Sequence, residues 1–119
     1  MMRALTRFLP RLLPPLLPIL AVLMLSACGS DEITHVTLAE LVANPTAYDG
    51  RTVAVRGRVH SFDDPRHYWL EDEHINRVGL LPSARIAPHL QRHVQVTGRF
   101  SFSRDRGRRI TVEQVELAR

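Results

Sequence analysis

Three sets of residues in this chain have types and spacings that could do chemistry. The first is a single thiol, Cys28, the only cysteine in 119 residues. It follows Leu25-Ser26-Ala27, where an apolar leader gives way to a polar remainder, and alone it allows no intramolecular disulfide. The second set combines arginines with rings: Arg56, Arg58, His60 and Trp69, then Arg99, then Arg104, Arg106, Arg108 and Arg109. Arginine supplies charge for phosphate and a ring supplies a stacking surface, the pairing that single-stranded nucleic acid needs. The same groups suit an acidic glycan or a lipid head group. The third set is six histidines with the acidic runs Asp63-Asp64 and Glu71-Asp72-Glu73. No His-Glu-x-x-His spacing, Gly-rich phosphate loop or Gly-x-Ser-x-Gly elbow accompanies them. The acids fall where turns are expected, and turns favour such residues anyway. No catalytic residue, cofactor or metal ligand is assigned, and an enzyme is not expected.

The leader has the three parts of a secretory signal. Arg3, Arg7 and Arg11 are its basic start, Leu12 to Met24 its apolar run, and Ser26-Ala27 its small residues before the cut. A retained membrane helix fits less well. The apolar stretch falls short of the roughly 20 residues that span a bilayer. Pro14, Pro15 and Pro18 interrupt it, each removing a backbone donor.

Leu25-Ser26-Ala27-Cys28-Gly29 resembles the lipobox of bacterial lipoproteins. The resemblance implies a diacylglyceryl thioether on Cys28, cleavage before it and acylation of the new amino group. One acyl chain holds weakly, at about 0.8 kcal/mol per buried CH₂, and several chains on one residue hold firmly. Gly29, rather than Asp, follows the cysteine, which in this family implies the outer membrane, facing the periplasm. The expected organisation is a signal peptide at 1–27, a lipidated cysteine with its tether at 28–36, and a domain at 37–119.

Charge narrows the partners. Sixteen basic residues less the leader's three leave thirteen, against twelve acids that all follow Cys28, so the mature side chains carry about +1. No general polyanion attraction follows from so small a charge, and any anion site must come from local clustering.

The remainder reads as short strands. Thr37 and Glu40 form a capping box that opens a short helix, and Asn44-Pro45 ends it. Asp49-Gly50 is a turn. From Arg51 to Phe62 the apolar positions Val53, Val55, Gly57 and Val59 alternate with Arg56, Arg58, His60 and Phe62, the period of a strand with one inner face. Gly57 suggests a bend. Further strands are expected at His67 to Glu71, Arg77 to Leu81, His93 to Phe102 and Ile110 to Leu117. A short helix opens at Pro82-Ser83. In the last strand Val115 and Leu117 are out of phase with Ile110 and Val112, so a bulge is expected near Glu113-Gln114.

Five strands with a helix between the third and fourth match an OB-fold barrel. The fold class is therefore all-β with short helices. Tyr48 to Val59, Leu70-Glu71-Asp72 and Val94 to Phe100 resemble strands of bacterial OB-fold domains of the nucleic-acid-binding (tRNA-anti-like) type. The turn Glu71 to Arg77 departs from that pattern by lacking a glycine. The resemblance implies a ligand surface on the outward sheet face, at Arg56, Arg58, His60, Trp69, Arg99, Arg106, Arg108 and Arg109. Fold does not dictate function. The expected role is a membrane-anchored binding or assembly module for an envelope protein or component. Oligonucleotide or other polyanion binding is one alternative, and metal or haem handling is another. Periplasmic OB-fold haem chaperones carry a His-x-x-x-Tyr motif near the C-terminus, and this chain has none there.

Overall fold

The computed structural model of the chain describes residues 32–119. The expected signal peptide and Cys28 lie outside the described residues. The elements run β1 (Ile33–His35), α1 (Leu38–Ala43), α2 (Pro45–Tyr48), β2 (Thr52–Asp63), β3 (Arg66–Glu71), β4 (Arg77–Leu81), α3 (Ser83–Ile86), a 3₁₀ turn (Ala87–His89), β5 (His93–Ser103) and β6 (Gly107–Leu117). Strands β2 to β6 close into a ring. β2 pairs antiparallel with both β3 and β5, β3 with β4, and β5 with β6. The parallel pair β4–β6 completes the circuit. With α3 between the third and fourth ring strands, this is an all-β, OB-like barrel. Closure leaves the ring with no free edge of the kind that open sheets must protect.

Alternation along each strand fills the barrel. Val53, Val55 and Val59 of β2 meet Leu70, Val78, Val94, Val96, Phe100 and Ile110, all buried. Ile86 of α3 and Leu38 and Leu41 of α1 join the same cluster. Each such side chain contributes about 1.5–3 kcal/mol by leaving water. The exposed Asp63–Arg66 ion pair at 2.8 Å belongs to a class worth about 0–1 kcal/mol. The apolar interior, not surface charge, holds the barrel. Thr37 caps α1 through the expected box, accepting from the Glu40 N–H at 3.1 Å while Glu40 accepts from the Thr37 N–H at 2.9 Å.

β2 changes partner at its middle. It pairs with β5 up to Arg58 and with β3 from Arg58 onward. The bend expected at Gly57 falls at this switch. A Cβ on Gly57 would lie 2.8 Å from Leu70 Cγ and 2.9 Å from Leu38 Cδ1, so its bareness lets α1 seat against β3. The expected bulge is present as well: Thr97 pairs with Gln114 but Gly98 with Val112, which leaves Glu113 over.

One feature differs from the sequence reading. The stretch assigned to a tether as far as residue 36 is partly folded. Ile33–His35 runs parallel to Thr52–Ala54, and Val36 reaches the core cluster. Three strand residues are too few for a period of two to be visible. The glycine-free turn between β3 and β4 is built by Asp72. Its carboxylate accepts from the His74 and Asn76 N–H groups and from the Asn76 side chain, at 2.8–2.9 Å. Ile75 then adopts φ = 64°, the left-handed region where a β-branched residue is strained.

Candidate functional site

Alternation that sends Val59, Leu70 and Val78 inward sends His60, Trp69 and Arg77 outward on three adjacent strands. Their registers place rings opposite rings. His60 pairs with Trp69, and Phe62 with His67. His60 and Trp69 stack at 5.9 Å between centroids with planes 11° apart. His67 lies 5.5 Å from Trp69 and 6.0 Å from Phe62. The result is a ladder of four rings along β2 and β3. Such cross-strand pairs contribute about 0.2–1 kcal/mol each. His67 Nδ1 donates to the Pro65 carbonyl at 2.8 Å.

Trp69 is the hub. Its indole N–H donates to Glu71 Oε1 at 2.8 Å, and the Arg77 guanidinium lies over its ring at 5.0 Å. Arg77 Nε also pairs with Glu71 at 2.9 Å. The hydrogen bond from Trp69, with help from Arg77 and His60, holds the Glu71 carboxyl below the usual carboxylate range against the opposing effect of burial. Burial pushes Asp72 upward, and the hydrogen bonds from Asn76 and His74 outweigh it and hold it low.

The residue opposite Trp69 on β4 is Gly79, and the residue opposite Gly79 on β6 is Arg109. A Cβ on Gly79 would touch only the Arg108 carbonyl at 3.4 Å and Arg109 Cγ at 3.5 Å, both ordinary contacts. Packing does not demand a glycine there. Its effect is a notch in the row, with no side chain between the positions of Trp69 and Arg109.

The eight residues expected at the ligand surface divide. His60, Trp69 and Arg109 come together on this face. Arg108 lies at its rim, where Nε donates to the Arg77 carbonyl at 3.4 Å. Arg56 and Arg58 lie on the same outward side of β2 but in a different concavity of about 970 Å³, between the β1–α1 junction and the β3–β4 turn. Arg99 donates to the Gly50 carbonyl at 2.6 Å beside the start of β2, and Arg106 sits in the β5–β6 turn with its N–H on Ser103 Oγ. Those two are away from the ladder. Arg77 and His67 belong to the site and were not among the expected residues. Their outward parity, beside Val78 and Tyr68, was the available signal. Among the described residues no group of three or more His, Cys, Asp or Glu could hold a metal ion. No helix among them is long and apolar enough to cross a membrane.

Ring closure, the helix between β4 and β5 and the ladder face together define an OB-like domain with a candidate ligand face. The chain matches no family model and no curated protein. Among solved structures it is similar to a chain described as an aspartyl-tRNA synthetase from Leishmania major Friedlin, with 17% identity and a TM-score of 0.52. The match covers 82% of this chain and 23% of that one, so this chain spans under a quarter of the synthetase. At that identity the likeness shows the fold.

Proposed function

We propose that the protein is a lipid-anchored binding module of the bacterial envelope whose ladder face takes single-stranded oligonucleotide. In this reading acylated Cys28 holds the domain at the outer membrane, facing the periplasm, and the protein works by binding rather than catalysis. The observation that carries the ligand is the row Trp69–Gly79–Arg109. A planar base entering beside Gly79 packs against the indole, displacing the Arg77 guanidinium from its ring, and Arg109 meets the phosphate that follows it. Every base has a π-face, so the recognition tolerates sequence. The similar solved chain is named for an enzyme of tRNA, which supports the reading.

A second reading, an envelope protein partner, is favoured by Phe62, a large apolar side chain 58% exposed at the end of the ladder. The test is titration of labelled single-stranded DNA and RNA with the domain at two salt concentrations. The expected result is binding that weakens steeply with salt and is lost in Gly79→Leu, which fills the notch without removing charge. No binding by the wild type overturns the oligonucleotide reading and leaves the protein partner, to be sought by pull-down from intact envelopes.

A further inference from the structure

A second concavity lies over the first half of β2. Arg56 and Arg58 stand two residues apart on one face of its floor, with His93 opposite Arg58 and Gln95 opposite Arg56 on β5. Four acids border it, Glu40, Glu71, Asp72 and Glu73, and a first impression is of balanced charge. Hydrogen bonds engage most of them away from the arginines. Glu40 accepts from the Thr37 N–H. Glu71 is held by Trp69 and Arg77. Asp72 accepts three bonds inside its own turn. Three of the four carboxylates are thus occupied at home.

The arginines are not. Arg56 uses Nε alone, on Gln95 Oε1 at 3.3 Å, and Arg58 uses Nη1 alone, on the Gln91 carbonyl at 2.6 Å. Both partners are neutral, and neither arginine makes an ion pair among the described residues. A guanidinium has five N–H donors in a fork that matches phosphate. The floor therefore offers many donors and two positive charges that form no ion pair among the described residues.

We propose that this groove binds a small molecule carrying a phosphate monoester, its dianion spanning Arg56 and Arg58 and its remainder lying toward Val36 and Ala54. A dianion matches two guanidinium groups, whereas a carboxylate would match one. The volume is at the upper end of the range for small-molecule sites, about 300–1,000 Å³, so a body larger than bare phosphate fits. The proposal does not rest on the oligonucleotide reading, because the two sites share only the wall formed by His60 and Glu71.

The test is calorimetric titration of the lipid-free mature domain with phenyl phosphate, inorganic phosphate, benzoate and phenol. Phenyl phosphate is expected to bind most tightly, inorganic phosphate more weakly, benzoate at least about tenfold more weakly than phenyl phosphate, and phenol not at all, a tenfold step being one lost charge-assisted contact. Arg56→Gln and Arg58→Gln should each lower phenyl phosphate affinity by about tenfold or more, with melting temperature unchanged, since both side chains are exposed. Gly79→Leu should leave this affinity untouched. Absence of phenyl phosphate binding, equal binding of benzoate, or unchanged affinity in both arginine variants overturns the proposal. Loss of oligonucleotide binding alone overturns the other reading and not this one.

Discussion

Arg58 and Glu71 face each other across β2 and β3, and they do not form an ion pair. The carboxylate turns the other way, to the Trp69 indole N–H and to Arg77. The Trp69 indole and Arg77 together thus hold this carboxylate away from Arg58. Trp69→Phe keeps a ring and removes the donor. It should raise the Glu71 pKa toward its ordinary value, the indole bond being the largest cause of its lowering, while Glu71 stays paired with Arg77 and phenyl phosphate affinity is unchanged. Carboxylate titration by NMR and calorimetry on the same variant would check both outcomes together.

Trp69→Ala removes the ring itself. Stacking on an aromatic side chain is worth about 1–3 kcal/mol per base, so oligonucleotide affinity should fall roughly 5- to 150-fold. Arg109→Ala should weaken binding and reduce the salt slope by about one phosphate contact. Arg106→Ala, at the β5–β6 turn and off the row, should change neither. Fluorescence anisotropy across a salt series separates these outcomes.

Both Glu71 and Asp72 have folded-state pKa values below their ordinary ones. Their contribution to stability is therefore present above the unfolded carboxylate range, about pH 4, and is lost as pH falls through the lower folded values. Denaturant midpoints measured from pH 6 down to pH 2 should decline, and the decline should be shallower in Asp72→Asn.

Val55 and Val96 are direct partners on β2 and β5, both almost fully buried. An unpaired charge at either costs several kcal/mol, comparable with the whole stability of a small domain at about 5–15 kcal/mol. Val55→Asp and Val96→Asp should each abolish the cooperative melt seen by circular dichroism.

Ile75 sits at φ = 64° with its side chain 64% exposed. Left-handed backbone costs an ordinary residue roughly 1–2 kcal/mol, and almost no burial offsets it here. Ile75→Gly should raise the melting temperature by a few degrees, which for a domain of this size corresponds to about 1 kcal/mol.

Cys28→Ser should abolish incorporation of radiolabelled palmitate and release the protein from the membrane fraction. Equal labelling of the variant would show that the anchor lies elsewhere.

Local pattern carried much of the fold. The phase of Val53 to Val59 assigned an inner face, and the slip between Val112 and Val115 located the bulge at Glu113. Both signals lie within a few residues, where alternation is readable. The site was only partly legible, because it depends on registers between strands far apart in sequence. Trp69 meets Gly79 and Arg109 through two pairings that no local spacing records. Arg56 and Arg58 looked continuous with Trp69 along one face. The partner switch at Gly57 and the direction of Glu71 assign them to another concavity. Ile33–His35 escaped notice because it is a strand only through Thr52–Ala54 beside it.

Closure of the ring also dictates how the chain must fold. Its seam joins Thr52 to Arg99 and Gly79 to Arg109, contacts separated by dozens of residues. Such distant pairings place a small barrel among the slow folders, in the millisecond-to-second range rather than microseconds. β6 completes both the β4 and β5 pairings, so a nascent chain lacking it holds two unsatisfied strands. A chain whose last strand has not yet formed therefore cannot close the barrel.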